Sequence, residues 1–278
     1  MSKPMEMYTP KQISNSVCIF NFSVYPTNVS AQDFDNAAAE LVKLRGAGQT
    51  PKLILSIGGS AYSANFSSAV SDGNIQNFVR TAKAFKEKFG FDGIDIDWEF
   101  PSSDSDRDGL TKLVKACHEG IPGSIITLAT PAGNQNYQWF DFTSMKPYVD
   151  YYNLMAYHFG GSWNTETTHA SNLHESSIGT AYSVDRILKD WEDGIGKPHK
   201  SVTLTDYKDL PSNGDVDKRA GATYQYENRV FKSYDTKEEF KLKADYVKEK
   251  GLAGAFFWEA GRDRKGQDNA VAAFADCL

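Results

Sequence analysis

The sequence predicts an α/β fold in which parallel strands are joined by helices, and two observations carry that prediction. Short apolar runs alternate along the chain with longer segments of helical periodicity, an order typical of strand–helix–strand units. The runs are apolar on both faces, as expected for a sheet that helices cover on both sides. A closed barrel and an open, doubly wound sheet share this signal. Gly58 and Gly59 lack the G-x-G-x-x-G spacing, so a dinucleotide-binding site is not supported.

The individual elements follow from the length and period of each apolar segment. We predict strands at residues 17–24, 52–57, 93–98, 124–129, 150–155, 201–205 and 253–258. We predict helices at residues 32–45, 74–89, 106–118, 184–191 and 236–247, followed by a terminal helix. The helix at 236–247 opens with a capping box formed by Thr236 and Glu239. Residues 160–180 and 207–222 are predicted to be loop-length insertions.

Composition bounds the class of protein and its partners. The 278 residues contain no linker rich in Pro, Gly or Ser, so residues 1–278 are predicted to form a single domain. The net charge is -6 and no long basic run occurs, which argues against a nucleic-acid partner. We expect no membrane partner, because no segment is apolar for long enough to span a bilayer. The start of the chain has no apolar core typical of a signal peptide, so its compartment stays open.

Neither cysteines nor histidines suggest a metal centre or a cofactor. The three cysteines are far apart and show no metal-type spacing: Cys18, Cys117 and Cys277. The five histidines form no ligand pattern either. We therefore expect no metal and no cofactor. Aromatic residues are plentiful, with 14 Tyr, 17 Phe and 5 Trp; some belong to the core, and the number also suits a site that stacks against flat rings or sugar faces.

The sharpest feature of the sequence is a row of acids within the predicted strand at 93–98 and just beyond it. Side chains on a strand alternate between its faces, so Asp95, Asp97 and Glu99 share one face. The other face carries Ile94, Ile96 and Trp98. Buried acids need partners or keep a proton, which makes three in a row costly unless they serve a purpose.

This row predicts a catalytic acid. In a barrel, Glu99 would lie at the C-terminal mouth, with Asp97 and Asp95 progressively deeper. Close like charges separate the pKa values of such acids, so a protonated Glu99 could donate to a leaving glycosidic oxygen. A solvated acidic strand or a calcium site is the alternative, but calcium loops need turn residues where Ile, Ile and Trp stand here. Asp92 has the opposite parity and is predicted to fix the start of the strand.

These residues resemble glycoside hydrolase family 18, the chitinases and their relatives. The family signature D-x-x-D-x-D-x-E stands here as Asp92, Asp95, Asp97 and Glu99. Residues 53–60 are similar to the family's S-x-G-G strand motif, 152–157 to its sixth-strand motif and 254–259 to its eighth strand. The resemblance covers most of the chain from Tyr8 to the C-terminus. It implies a (β/α)8 TIM-type barrel that hydrolyses β-1,4-linked N-acetylglucosamine polymers or oligomers.

The resemblance also implies a retaining, substrate-assisted mechanism and a role for each acid. Glu99 would be the general acid and later the general base. The nucleophile would be the 2-acetamido oxygen of the substrate rather than an enzyme carboxylate. Asp97 would orient and polarise the acetamido N–H, and Asp95 would hold Asp97 in place.

Four further residues are implied to bind the substrate. Tyr157 would donate to the acetamido oxygen, and Met155 would line the floor of the sugar site. Trp258 would stack against the sugar at the point of cleavage. His158 stands where the family commonly has Asp or Asn, and as a neutral imidazole it could donate or accept a hydrogen bond to the sugar.

Two departures from the family pattern concern the barrel itself. No aromatic-bearing first strand is found before residue 17, and the segment after 200 lacks the Gly-x-Pro-x-Tyr-Gly-Arg ending of the seventh strand. We therefore expect a barrel whose first and seventh strands are absent or degenerate.

Two alternative functions remain open at this point. A non-catalytic chitin- or glycan-binding barrel is favoured by His158 and the departures in the barrel, and Glu99 argues against it. An endo-β-N-acetylglucosaminidase acting on N-linked glycans would use the same carboxylates. The expected partners are chitin or N-acetylglucosamine oligosaccharides, with the protein acting as a monomer. Members of the family are frequently extracellular.

Overall fold

The computed structural model describes residues 19–23, 52–71, 73–160, 164–177, 179, 182–195, 214–227, 230–257, 263–264 and 269–277. The chain divides into two compact units, one within Ile13–Asn153 and the other within Leu154–Leu278. The predicted helix at 32–45, the predicted strand at 201–205 and Trp258 lie outside the described residues. Among the described helices, none is both long and apolar enough to cross a membrane.

The main element of the first unit is a five-stranded sheet with the strand order β1-β2-β3-β4-β5. Its strands are β1 (Ile19–Ser23), β2 (Lys52–Gly58), β3 (Gly93–Asp97), β4 (Ile125–Pro131) and β5 (Tyr151–Met155). The first four strands pair in parallel with their neighbours. The last two residues of β5 belong to the second unit. The predicted strands are confirmed here, and β2 to β5 each match their predicted bounds to within two residues.

Helices connect these strands, as the sequence predicts. They are α1 (Phe66–Ala69), α2 (Asn74–Phe89), α3 (Asp104–Gly120), α4 (Asn134–Tyr137) and α5 (Phe142–Met145), with a 3-10 helix at Ser63–Asn65. Helix α2 ends at Gly90, whose φ of 69° is the left-handed conformation that glycine adopts without strain. Helix α3 begins after Ser103, whose side chain accepts the N–H of Asp106. Helices α2 and α3 confirm the predictions at 74–89 and 106–118.

Two aspartates fix the starts of β3 and β5. The Oδ2 of Asp92 accepts the N–H of Leu53 at 2.8 Å, and the N–H of Asp92 donates to the Leu53 carbonyl at 2.7 Å. Asp150 makes the same pair of bonds with Ile126, both at 2.8 Å. The prediction that Asp92 fixes the start of its strand is therefore confirmed.

The second unit contains a three-stranded antiparallel sheet that the sequence analysis missed. Its strands, in the order β6-β7-β8, are β6 (Asp215–Asp217), β7 (Ala222–Glu227) and β8 (Val230–Tyr234). The prediction of a loop over 207–222 was wrong for β6 and for the start of β7. These strands are short and polar, so their alternation is weak, and cross-strand pairing rather than an apolar run stabilises them.

The second unit has three described helices, α6 (Val184–Ile195), α7 (Lys237–Lys250) and α8 (Ala270–Ala275). Helices α7 and α8 share a small apolar core. The capping box of α7 is confirmed, since the N–H of Thr236 donates to Glu239 Oε2 at 2.7 Å. The buried core comprises Phe240, Ala244, Val247, Ala270 and Phe274. Residues 252–257 follow α7 without strand pairing in the described part of the chain, in contrast to the predicted strand at 253–258.

Candidate active site

The deepest acid of the row, Asp95, is held by side chains from three neighbouring strands. Parallel pairing places Ser56 of β2, Asp95 of β3 and Thr127 of β4 at the same level of the sheet. The Asp95 carboxylate accepts from Ser56 Oγ at 2.6 Å, from Thr127 Oγ1 at 2.5 Å and from Asn153 Nδ2 at 3.0 Å. Burial raises the pKa of Asp95, and these three hydrogen bonds oppose that rise.

Asp97 lies two residues after Asp95 at the end of β3, and its carboxyl group lacks the hydrogen bonds that hold Asp95. Its Oδ1 is buried and has no hydrogen-bond partner among the described residues. Burial, together with the nearby charges of Asp95 and Glu99, raises the pKa of Asp97 to about 8. At such a pKa Asp97 keeps a proton near neutral pH, and its buried Oδ1 is an acceptor that no described residue occupies.

Glu99 lies just beyond the end of β3. Its backbone N–H donates to Ser63 Oγ at 2.7 Å. Burial raises the pKa of the Glu99 carboxyl, and the backbone N–H of Ser60, which donates to that carboxyl, opposes the rise. The peptide bond between Glu99 and Phe100 is cis. A carboxyl group with a raised pKa is the type of group that serves as a general acid near neutral pH.

Gly58, the last residue of β2, and Gly59, which follows it, allow the backbone to approach Asp97 closely. A Cβ on Gly58 would lie 2.1 Å from the Asp97 carbonyl oxygen and 2.6 Å from the Phe66 ring, and its φ is +119°. Gly59 has a φ of +82° and donates its N–H to the same Asp97 carbonyl at 2.8 Å. The S-x-G-G motif thus supplies a hydroxyl to Asp95 through Ser56 and a close approach of backbone to Asp97 through its glycines.

The apolar residues of β3 occupy the opposite face, as its alternation predicts. Ile94 and Ile96 are fully buried. Trp98 is 2% exposed and stacks on Phe66, with ring centroids 5.2 Å apart and planes 13° from parallel. This packing fixes the rotation of the strand, and therefore the common direction of Asp95 and Asp97, because adjacent side chains on a strand point to opposite faces.

The predicted sugar-binding residues that the structure describes lie in the second unit. Met155 is buried at the end of β5, and Tyr157 is half-buried. The Tyr157 ring meets those of His158 and Phe256 edge-on, with centroids 5.1 and 6.3 Å apart. His158 is exposed and has a φ of 53°, a left-handed conformation that costs a non-glycine residue about 1 kcal/mol. The site roles of all four residues, Trp258 included, remain predictions.

Sequence reasoning missed four residues of the site. Thr127 and Asn153 are polar residues within buried strands, and that contrast with their neighbours is a signal that could have found them. Ser63 stands in a polar loop segment and gives no comparable signal. Ser56 and Asn153 lie within the motifs at 53–60 and 152–157, but the sequence alone gives neither residue a role.

The fold and the site define a class of protein before any comparison is made. The sheet is a parallel α/β sheet, and a carboxyl group of raised pKa follows the third of its described strands, next to two buried acids. This arrangement is expected of a glycoside hydrolase.

Comparison with known proteins gives the family. The family model described as "Glycosyl hydrolases family 18" matches residues 8–263. The chain therefore belongs to glycoside hydrolase family 18, whose enzymes act on O-glycosyl bonds. The resemblance stated from the carboxylate motif is confirmed.

Curated relatives agree with this assignment. The chain is 33% identical over 300 residues to Endochitinase 1 of Metarhizium robertsii, covering 89% of the chain and 70% of that protein. It is 30% identical over 281 residues to Chitinase 1 of Aphanocladium album, covering 84% of the chain and 66% of that protein. The chain thus spans about two thirds of the length of these curated relatives.

The structural likeness supports the predicted fold class. A family 18 N-acetylglucosaminidase from Paenibacillus barengoltzii superimposes with a TM-score of 0.78 at 22% identity, covering 98% of the chain and 96% of that structure. At this identity the likeness shows the fold alone. The (β/α)8 TIM-type barrel class is confirmed, while the predicted loss of its first and seventh strands concerns segments outside the described residues.

Proposed function

We propose that this protein hydrolyses β-1,4 bonds between N-acetylglucosamine units of chitin or its oligomers, as a retaining, substrate-assisted enzyme. The single observation that carries the proposal is the row formed by Asp95, Asp97 and Glu99, in which the pKa of each acid is raised. The printed names of the relatives, an endochitinase and a chitinase, support the choice of substrate.

In the first step, protonated Glu99 donates its proton to the glycosidic oxygen as the bond to the anomeric carbon breaks. The acetamido carbonyl oxygen of the same sugar attacks that carbon from the opposite side and forms the cyclic intermediate. Glu99 is left as a carboxylate. In the second step Glu99 takes a proton from a water molecule that attacks the anomeric carbon, which opens the ring and restores the acid.

Asp97 supplies the group that makes the acetamido oxygen a competent nucleophile. Its buried, unpartnered Oδ1 is an acceptor for the acetamido N–H. Accepting that hydrogen bond orients the acetamido group and increases electron density on its carbonyl oxygen. Asp95 is the support, since three neighbouring side chains hold its carboxylate and its charge raises the pKa of Asp97.

The proposal assigns the remaining predicted residues to sugar binding. Tyr157 donates to the acetamido oxygen, Met155 lines the floor, Trp258 stacks on the sugar and His158 hydrogen-bonds to it. It also takes residues 1–278 as one catalytic domain that acts as a monomer, without nucleic-acid or membrane partners. A purely glycan-binding role is disfavoured by the intact Glu99, because binding alone needs no acid with a raised pKa.

Fluorogenic conjugates of N-acetylchitobiose and N-acetylchitotriose test the proposal. We expect turnover of both, and we expect the first-formed sugar product to have the β configuration when followed by NMR. The matched control is the same conjugate with a free amine in place of the acetamido group at the cleaved sugar, which removes the nucleophile.

Three results would contradict parts of this account. A folded sample that binds N-acetylglucosamine oligomers without cleaving them would indicate a glycan-binding barrel. Equal cleavage of the free-amine conjugate would exclude substrate assistance. Release of N-linked glycans from a glycoprotein, without cleavage of the chitin oligomers, would indicate an endo-β-N-acetylglucosaminidase.

A further inference from the structure

Ser63 is a buried residue at the start of the 3-10 helix Ser63–Asn65. Its hydroxyl group both accepts and donates a hydrogen bond. The hydroxyl oxygen accepts the backbone N–H of Glu99 at 2.7 Å, and the hydroxyl donates to the Gly59 carbonyl at 2.9 Å. The Asp97 carbonyl lies 3.4 Å from the same oxygen, at the edge of bonding distance.

The turn that carries Ser63 is joined to the end of β3 at more than one point. Gly59 donates its N–H to the Asp97 carbonyl at 2.8 Å, and Ser63 donates its own N–H to the Gly59 carbonyl at 3.1 Å. The backbone N–H of Ser60 donates to the Glu99 carboxyl. The turn therefore holds Glu99 by its main chain through Ser63 and by its side chain through Ser60.

Pairing between strands does not give the backbone N–H of Glu99 an acceptor. The ladder between β2 and β3 ends with the pair Gly58 and Asp97, and β3 itself ends at Asp97. Beyond that point a backbone N–H needs another acceptor, because a buried donor without one is unfavourable. The Ser63 hydroxyl is the acceptor that the described residues give to Glu99.

We propose that Ser63 is a positioning residue for the catalytic acid, which sets where the Glu99 carboxyl stands relative to Asp97 by fixing the Glu99 main chain. The inference rests on the proposed function of Glu99. It assigns a catalytic consequence to a loop hydroxyl that does not reach the substrate itself. A misplacement of about 1 Å in a reacting group lowers rates by about 100-fold, so the effect is measurable.

The test compares three variants in steady-state kinetics on the fluorogenic N-acetylchitotriose conjugate. We expect Ser63→Ala to lower kcat by about 10- to 100-fold while KM stays within about threefold, because proton transfer depends on the geometry more than binding does. Ser63→Thr retains a hydroxyl and should recover kcat to within about threefold of the wild type.

Ser183→Ala is the matched control. Ser183 is fully buried, and its Oγ accepts the backbone N–H of Arg186 at 3.2 Å, so the substitution removes an equivalent bond in the second unit. Both Ala variants should lose a similar few degrees of Tm, about 2–6 °C. Ser183→Ala should nevertheless keep kcat and KM, which separates positioning from loss of stability.

The outcomes discriminate between the two proposals. An active wild type whose Ser63→Ala variant keeps its kcat overturns the inference alone, as does a Ser63→Thr variant that falls as far as Ser63→Ala. A folded wild type without turnover overturns the proposed function and this inference with it. If Ser63→Ala does not fold, Ser63→Cys takes its place: sulfur is a weak acceptor of similar size, and an unchanged kcat would again overturn the inference.

Discussion

Replacing Asp95 tests whether its three hydrogen bonds stabilise the fold as well as the site. Alanine would leave the hydroxyls of Ser56 and Thr127 and the amide of Asn153 without their acceptor in a buried place. Each buried donor left without a partner costs about 1–3 kcal/mol, and since hydroxyls can rotate to other acceptors we expect a total near 3–5 kcal/mol.

Asparagine gives the matched comparison. The Asn oxygen can still accept from Thr127 and Asn153, and its NH2 group can donate to Ser56 Oγ once that hydroxyl has rotated. We therefore expect Asp95→Asn to cost only about 1 kcal/mol, which leaves a difference of about 2–4 kcal/mol between the two variants.

Urea denaturation followed by tryptophan fluorescence measures both values, with the m value as the check that the unfolding transition is unchanged. Thr127→Val completes a double-mutant cycle: it should cost about 1 kcal/mol beside Asp95 and close to nothing beside Asp95→Ala. Equal losses for Asp95→Ala and Asp95→Asn, or strictly additive losses in the cycle, would refute the reasoning.

Three further predictions concern the neighbouring residues. The folded-state pKa of Asp97 is raised from 3.8 to about 8, so between these pH values the folded state binds a proton that the unfolded state has lost, and the free energy of unfolding should decline as pH rises from about 4 to about 8. Denaturation curves of Asp97→Asn should show a smaller decline with pH, and the same decline as in the wild type would contradict the prediction. Gly58→Ala should lower the free energy of unfolding by more than about 3 kcal/mol, because its Cβ would lie 2.1 Å from the Asp97 carbonyl oxygen. The control Gly123→Ala has a φ of +74° and no atom within 4 Å of its Cβ, so it should lower that free energy by only about 1 kcal/mol. Similar losses of Tm in the two variants would show that the close approach is not responsible. Because Glu99 must be protonated to act, kcat/KM should be highest on the acidic side of neutrality and fall as pH rises through its raised pKa, and a rate still rising well above neutral pH would exclude it as the acid.

Period-two alternation made the most important part of the site predictable. It placed Asp95, Asp97 and Glu99 on one face, put Trp98 on the other and gave Asp92 a structural role, and the structure agrees for Trp98 and Asp92. This succeeded because alternation is a local property of a strand, which needs no knowledge of what lies next to it.

The partners of these acids could not be predicted in the same way. Ser56 and Thr127 reach Asp95 from 39 and 32 residues away along the chain, through the register of neighbouring strands. Register depends on the pairing of whole strands, which a single sequence specifies only weakly. Ser63 depends in addition on the path of a turn.

The antiparallel sheet of the second unit was missed for a related reason. Its strand β6 has the sequence Asp-Val-Asp, which alone favours a turn. Pairing of Asp215 with Tyr224 and of Val216 with Thr223 makes it a strand, and that information lies in β7. Short strands of this kind acquire their structure from their partners.

The measurement that tests the central claim most directly is turnover and binding by Glu99→Gln beside the wild type. Glutamine has nearly the same shape and carries no transferable proton, so kcat on the N-acetylchitotriose conjugate should fall by about 10²- to 10⁴-fold. The Kd for N-acetylglucosamine oligomers should stay within a few-fold. Asp92→Asn is the control, since it changes an acid of the same motif on the other face and should keep kcat. If Glu99→Gln turned over within tenfold of the wild type, Glu99 would not be the acid, and the account of this site would be wrong.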